Sequence, residues 1–142
     1  MTPYLAVNDG QNAIHFYTEA FGAEVTVGPL VVPGGLIAHA EMRIGDAAIM
    51  LADGGLPGEK VETPTDLGAS TMQLHLYVDD VDAVFAAALA AGAEVVRPMQ
   101  DSFDGRRTCK IRDPFGHNWF LATQITDMTL DEVNQGLADL LG

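Results

Sequence analysis

Two segments of this chain carry polar side chains at alternate positions. His39 and Glu41 alternate with apolar residues along 38–44, and His75 alternates with leucines along 72–78. Because successive side chains of a strand point to opposite faces, each segment is predicted to be a strand with one apolar and one polar face. An apolar cavity with a few convergent polar groups is typical of a ligand site. The polar residues predicted to line it are Tyr4, His39, Glu41, Gln73, His75 and Tyr77.

The other side chains that could react or bind a metal are interpreted as structural. Cys109 neighbours Lys110, whose charge favours a reactive thiolate, but it alternates with Ile111 on an apolar face and is predicted to be a buried core thiol. As the single cysteine, it excludes an internal disulfide and a paired-cysteine zinc site. His15 is predicted to be exposed on a helix, and His117 to lie in a turn, facing solvent or bonded to the backbone.

An internal repeat indicates which elements hold these residues. The stretch Ala-Val-Asn-Asp at 6–9 resembles Tyr-Val-Asp-Asp at 77–80, and Gly-Ala-Glu-Val occurs at 22–25 and again at 92–95. Two copies are too few for a solenoid, so a duplicated module that forms one domain is predicted. Each copy is predicted to form a strand, a helix and three further strands.

The predicted fold class is α+β, with two βαβββ modules whose curved mixed sheets surround a cleft. The modules are placed at 1–53 and 71–125, and a mobile linker rich in glycine, proline and acids is placed at 54–70. The first helix is predicted to begin after a cap at Asn8 or Asp9 and to end at Gly22. Strands are predicted at 3–7, 25–32, 36–44, 47–52, 72–78, 95–98, 108–112 and 117–123, with a second helix at 81–91.

The tail at 126–142 is predicted to add a C-terminal helix. Thr129 and Glu132 have the spacing of a capping box. One face of this helix carries an apolar stripe, which is predicted to pack in the core or to form a dimer contact: Leu130, Val133, Leu137 and Leu141. Trp119 is predicted to pack with the second helix, while Phe120 points into the cleft.

Composition and charge narrow the class of protein. The chain has 142 residues, the size of one domain, and a net charge of −13. Five of its seven basic residues lie within 97–112. The acidic field repels phosphate backbones and favours cationic or neutral partners, so nucleic-acid binding is not expected. No signal peptide is visible, and the longest apolar stretch, 83–93, is shorter than the roughly 20 residues of a membrane span. A cytoplasmic protein without membrane contact is expected.

Several local stretches resemble one family. The duplicated module resembles the vicinal oxygen chelate superfamily, which includes glyoxalase I, bleomycin-resistance proteins and extradiol dioxygenases, and more narrowly its PhnB-like branch. The resemblance covers Thr2 to Thr123. The stretches that carry it are Pro-Tyr-Leu-Ala-Val at 3–7, His-Ala-Glu-Met-Arg-Ile-Gly-Asp at 39–46, Ile-Met-Leu-Ala-Asp at 49–53, Leu-Tyr-Val-Asp-Asp-Val at 76–81 and Asp-Pro-Phe-Gly-His-Asn-Trp at 113–119. This fold hosts lyases, dioxygenases, isomerases and binding proteins, so it implies no single activity.

The resemblance also implies where a metal would bind. Enzymes of the superfamily hold a divalent ion with four side chains, in glyoxalase I His or Gln and Glu. Alignment on the strand–helix junctions puts these positions at Thr2, Glu41, Gln73 and Phe120. Only Glu41 and Gln73 are suitable donors, which is fewer than the three protein ligands of a catalytic site. No resident metal or other cofactor is therefore expected; the alternative is a divalent metal such as Zn, with His39 or His75 substituting.

Two functions follow from these observations. The first is a metal-free protein that binds and sequesters a small, planar, cationic molecule, as in antibiotic resistance by bleomycin-resistance proteins. Its predicted ligand-binding residues are Tyr4, His39, Glu41, Gln73, His75, Tyr77 and Phe120. The alternative is a metal-dependent lyase, isomerase or dioxygenase with a non-standard site, in which Glu41 is the catalytic base beside His39 or His75. The resemblance implies a homodimer, since such modules need a partner sheet to close the cleft.

Overall fold

The computed structural model describes residues 1–142 as two four-stranded mixed sheets with four helices. The first sheet and its helix are β1 (Tyr4–Val7), α1 (Gly10–Phe21), β2 (Glu24–Val31), β3 (Ile37–Ile44) and β4 (Ala47–Asp53). A short helix, α2 (Pro64–Leu67), precedes the second set. That set is β5 (Gln73–Tyr77), α3 (Val81–Ala90), β6 (Glu94–Asp101), β7 (Arg106–Arg112) and β8 (Asn118–Gln124), followed by α4 (Leu130–Leu141).

The two sheets have the same topology. Their strand orders are β1-β4-β3-β2 and β5-β8-β7-β6, and in each sheet the first strand pairs in parallel with the last while the other pairs are antiparallel. The predicted α+β fold of two βαβββ modules with a C-terminal helix is confirmed. The sheets are not closed into a barrel within the chain.

The helices begin and end at the residues that local chemistry favours. The side chain of Asp9 accepts a hydrogen bond from the Asn12 amide at 3.1 Å, which caps the start of α1. Gly22 ends the helix at φ 65°, a left-handed conformation that a side chain disfavours. Asp80 caps α3 in the same way.

The core lies between the helices and the inner faces of both sheets. Trp119 packs against Phe21 and Tyr17 of α1, with ring centroids 4.6 and 5.6 Å apart. Trp119 thus packs on α1, which was not predicted, while its packing with the second helix stays a prediction. Since α1 and α3 lie in contact, α1 also reaches the second sheet. The carboxylate of Asp113 accepts hydrogen bonds from both Tyr17 and Trp119, and so joins the two modules.

Two segments differ from their predicted form. Strand β6 runs through Pro98 to residue 101, although it was predicted at 95–98. It is an edge strand, where the missing amide donor of a proline is tolerated. The segment 54–70, predicted as a mobile linker, contains α2. That helix begins with a capping box between Thr63 and Asp66, and Thr63 is buried.

The tail helix is amphipathic but unburied. The predicted capping box is present, because the Glu132 amide donates to Thr129 Oγ1 at 3.3 Å and the Thr129 amide donates to Glu132 at 2.7 Å. No residue of α4 is buried, and its leucines Leu130 and Leu141 are largely exposed. The core-packing interpretation of the stripe is therefore wrong, and the dimer contact stays a prediction. None of the helices has the length and apolar character needed to cross a membrane.

Candidate functional site

The first sheet turns Tyr4, His39 and Glu41 away from the core. The Tyr4 hydroxyl lies 2.7 Å from His39 Nδ1, and His39 Nε2 lies 3.0 Å from Glu41 Oε1. The three side chains therefore form one hydrogen-bonded row across β1 and β3. We call this surface the first-sheet face. Because imidazole can donate through one nitrogen while it accepts through the other, the row couples the Tyr4 hydroxyl to the Glu41 carboxylate.

A cavity of about 380 Å³ opens beside Tyr4. Its walls are mostly apolar, and its acids are Glu59 and Asp53; the remaining lining residues are Tyr4, Ala6, Ala38, Ala52, Leu56 and Val61. Strict alternation predicted Ala38 on the apolar side of β3. The pairing of β2 with β3 shifts register between Leu30 and Val31, and this irregularity brings Ala38 to the cavity instead.

The Tyr4 ring lies in a negative environment. The pKa of its hydroxyl is raised, first because partial burial disfavours the phenolate and then because the carboxylates of Glu59 and Glu41 repel it. Tyr4 is nevertheless half exposed, at 51%. It therefore presents a neutral ring and hydroxyl to the cavity beside two acids.

The second sheet carries a different group of side chains on its open face. The His75 ring is stacked on Tyr77, with centroids 4.8 Å apart, and its centroid lies 4.4 Å from that of Phe120. Arg106 Nη1 donates to Tyr77 Oη at 3.0 Å and lies 3.2 Å from His75 Nε2. We call this surface, with Phe120 at its centre, the second-sheet face.

The protonation of His75 follows from its neighbours. Its pKa is lowered, first by partial burial and then by the charge of Arg106, against an opposing effect of Asp104. Since a guanidinium only donates, His75 Nε2 must accept from Arg106, and the proton of the neutral ring lies on Nδ1. His75 is thus a neutral aromatic group at neutral pH.

The predicted ligand-binding residues form two groups in this chain. Tyr4, His39 and Glu41 make up one group, and the second comprises His75, Tyr77 and Phe120, with Gln73 exposed two residues before His75 on the same strand. No hydrogen bond, ion pair or ring contact joins the groups. The structure places His39, and not His75, beside Glu41.

The residues at the family's metal positions do not fit a divalent ion. The ring of Phe120 has no donor atom, and the cationic groups of Arg97, Arg106 and Lys110 lie 5.1, 5.5 and 5.6 Å from its centroid. These three positive charges repel a divalent cation. Glu41 lies on the first sheet, away from Phe120, and its carboxylate is already hydrogen-bonded to His39. The chain contains no group of three or more His, Cys, Asp or Glu side chains arranged to hold a metal.

Four charged residues of these faces were missed in the sequence. Glu59 falls in the segment that was predicted as a linker. Arg97 lies on β6, and Arg106 and Lys110 alternate on β7. Their clustering along the chain was visible, but β7 was predicted to begin at 108, which left Arg106 in a loop. A strand extended by one alternation would have put it on the same face as Lys110.

The other candidates occupy structural places. Cys109 is fully buried, as predicted, and burial raises the pKa of its thiol to about 11. The ring of His117 lies 2.9 Å from the carbonyl oxygen of Ala6. His15 is exposed, as predicted, and borders a cavity of about 720 Å³ between α1 and α3, which contains none of the predicted site residues.

Known proteins resemble this chain over most of its length. A protein of Mycobacterium bovis described as uncharacterized, Mb0911c, is 40% identical over 140 residues, which is 97% of this chain and 91% of that protein. The crystal structure of TioX from Micromonospora sp. ML1 matches with a TM-score of 0.66 at 30% identity, covering 91% of this chain and 98% of that one.

A PhnB protein from Bacillus cereus, described as a putative 3-demethylubiquinone-9 3-methyltransferase, has a TM-score of 0.66 at 21% identity over 87% of this chain and 98% of its own, a likeness of fold. A family model matches residues 2–121. The duplicated sheets, the PhnB-like stretches and this match agree, and the chain belongs to the Glyoxalase/Bleomycin resistance protein/Dioxygenase superfamily.

Proposed function

We propose that this protein is a cytoplasmic small-molecule binder that sequesters a planar, cationic ligand at the first-sheet face without a catalytic metal. The observation that carries the proposal is the half-exposed Tyr4 ring at the wall of the 380 Å³ cavity, beside Glu59. A ring and an acid around an apolar cavity of this size suit a small organic cation.

The charges at the cavity support a cationic ligand. The Glu59 carboxylate forms no ion pair, so it is free to meet a ligand cation. The Asp53 carboxylate, by contrast, accepts from the amides of Gly10 and Ile37 and serves the fold. The face of a tyrosine ring attracts cations by its quadrupole, and the chain's overall charge of −13 adds a long-range attraction.

The metal-dependent alternative has one observation in its favour. His39 lies 3.0 Å from Glu41, which is the pairing that a general base needs for orientation. The positions that would hold the metal do not support it, because Thr2 is a poor donor, Phe120 has none, and the cations around Phe120 oppose a divalent ion. We therefore favour binding over lyase, isomerase or dioxygenase chemistry.

Proflavine, a planar cation, is a direct probe of this proposal. We expect it to bind the protein after dialysis against EDTA, and to bind about three- to tenfold more weakly to Tyr4→Ala, because the ring contact is lost. Glu59→Gln should weaken binding, whereas Glu62→Gln, which removes the same charge from the same segment outside the cavity, should not. Isothermal titration calorimetry gives the dissociation constants.

Three results would contradict the proposal. These are the absence of proflavine binding at millimolar concentrations, equal affinities of the Glu59→Gln and Glu62→Gln proteins, and binding that requires a retained divalent metal. The last result would direct attention to the enzymatic alternative, with Glu41→Ala as the next variant.

We further propose that the protein is a homodimer whose copies meet at the edge strand β2 of the first sheet. Within the chain β2 pairs only with β3, so its outer edge is open. All eight residues of the edge strand β2 are exposed. Exposed apolar side chains on an open strand edge, such as Val27 and Leu30, favour a second copy as the occupant.

Sedimentation equilibrium tests the dimer. We expect a mass of about twice 15.1 kDa and a dissociation constant that rises by about tenfold or more in Leu30→Glu, which puts a charge on an exposed leucine paired with His39. Leu67→Glu, at a similarly exposed leucine on α2, is the matched control and should leave the mass unchanged. A monomeric wild-type protein would exclude the proposed assembly.

A further inference from the structure

Three of the chain's seven basic residues converge on a single aromatic ring. The guanidinium carbons of Arg97 and Arg106 lie 5.1 and 5.5 Å from the centroid of Phe120, and the Lys110 ammonium lies 5.6 Å from it. Each distance lies within the range of a cation–π contact. Positive charge is therefore concentrated at one place in a protein whose net charge is −13.

The acids of the chain leave this cluster only partly balanced. Asp104 pairs with Arg106, whose Nε donates to it at 2.8 Å. Lys110 has no carboxylate within ion-pair distance, and neither has Arg97. Arg97 Nη2 donates to Thr108 Oγ1 at 2.6 Å, while its Nε is buried without a hydrogen-bond partner. Like charges held together without counter-charges repel each other, which an incoming anion would relieve.

The sheet holds two of these cations in one row with the rings of Phe120 and His75, while Arg106 pairs with Gln124 outside this row. Arg97 of β6 pairs with Lys110 of β7, Lys110 pairs with Phe120 of β8, and Phe120 pairs with His75 of β5. The row therefore crosses all four strands, with two cations at one end and two aromatic rings at the other. Groups on hydrogen-bonded strands are fixed more precisely than groups on loops, which is what a binding site requires.

We propose that the second-sheet face binds the oxyanion of a small organic molecule, a carboxylate, phosphate or phosphonate, through Arg97, Arg106 and Lys110. Guanidinium groups bind such oxygens through charge-assisted hydrogen bonds, and the ammonium of Lys110 adds a compact charge. A flat part of the same ligand would lie on the His75 and Tyr77 rings, of which Tyr77 is 61% exposed. The site lies on the second sheet alone and does not depend on the cation proposed for the first-sheet face.

Phenylphosphonate is the probe for this site, because it combines a flat ring with an oxyanion. We expect calorimetry to show binding to the wild-type protein and a dissociation constant about tenfold or more higher for Lys110→Gln, since a charge-assisted contact is lost. Arg107→Gln is the matched control: it removes one positive charge from the same strand on the opposite face, where Arg107 pairs with Asp82 and Asp101. Its affinity should stay within about twofold of wild type.

The outcomes separate this site from the first-sheet pocket. If Lys110→Gln lost phenylphosphonate binding while retaining proflavine binding, the oxyanion site would be supported independently of the cation proposal. Equal affinities of Lys110→Gln and Arg107→Gln, or no binding to wild type at millimolar concentrations, would overturn it. Should Lys110→Gln fail to fold, NMR of the wild-type protein decides: phenylphosphonate must shift the Phe120 and Tyr77 ring signals and not those of Tyr4.

Discussion

Replacing Asp113 by alanine is expected to lower the free energy of unfolding by about 4 kcal/mol. The Asp113 side chain is buried, and its two oxygens accept four hydrogen bonds. Oδ2 accepts from the Tyr17 hydroxyl at 2.6 Å and from the Trp119 indole at 2.9 Å. Oδ1 accepts from the amides of Phe115 and His117 at 2.9 and 3.0 Å.

The size of the effect follows from what the substitution leaves behind. Alanine would strand four donors in the interior, and each buried unsatisfied group costs about 1–3 kcal/mol, partly recovered by relaxation and water. The two side-chain donors come from different modules, since Tyr17 lies on α1 and Trp119 on β8. The lost bonds therefore loosen the packing of one module on the other as well as the turn at 113–117.

Urea unfolding followed by circular dichroism measures this change. Asp46→Ala, an exposed aspartate in the corresponding turn of the first module, is the control and should change stability by no more than about 0.5 kcal/mol. Tyr17→Phe removes only the hydroxyl that donates to Asp113 and is expected to lower the free energy of unfolding by about 1 kcal/mol. If Asp113→Ala lowered the free energy of unfolding by less than about 1 kcal/mol, water would replace the carboxylate. The hydrogen bonds of Asp113 would then not be needed to hold the two modules together.

The sequence predicted the fold in detail because its signals are local. The repeated strand and Gly-Ala-Glu-Val stretches predicted the two modules. The choice of Asn8 or Asp9 as cap, with Gly22, predicted the ends of α1, and Thr129 with Glu132 predicted the start of α4. Each of these signals depends on residues a few positions apart, so no tertiary partner has to be known. The contact between Tyr17 and Asp113 spans 96 positions, and nothing in either neighbourhood indicates it.

The candidate site was predicted less completely, for a related reason. Alternation correctly placed His39 and Glu41 on one face of a strand, and it placed His75 and Tyr77 on one face of another. Alternation does not say whether two such faces meet, and in this chain they carry separate clusters. Alternation also assigned no positive charge to the second face, because the predicted strand began at 108 and left Arg106 outside it. The charge of the ligand was therefore predicted from the net charge of the chain alone.

Asp53→Ala is expected to be the second most damaging substitution, with a loss of about 3 kcal/mol in the free energy of unfolding. The Asp53 carboxylate is buried at the end of β4, where Oδ1 accepts from the Gly10 amide at 2.8 Å and Oδ2 accepts from the Ile37 amide at 2.7 Å. One side chain thus fixes the first turn of α1 and the start of β3. Gly10 leaves no room for a side chain, since an added Cβ would lie 2.8 Å from Asp53 Oδ2.

The matched comparison is Asp9→Ala, which removes a carboxylate from the same helix start. Asp9 is exposed and accepts from the Asn12 amide, so its loss should cost only about 1 kcal/mol, as for an ordinary cap. Urea unfolding gives both values, and hydrogen exchange of the Gly10 and Ile37 amides should accelerate only in Asp53→Ala. Equal losses in the two variants would mean that Asp53 acts as a helix cap alone. A larger loss in Asp53→Ala would instead show that one buried carboxylate joins the start of α1 to the start of β3, the strand that contributes Ala38 to the cavity beside Tyr4.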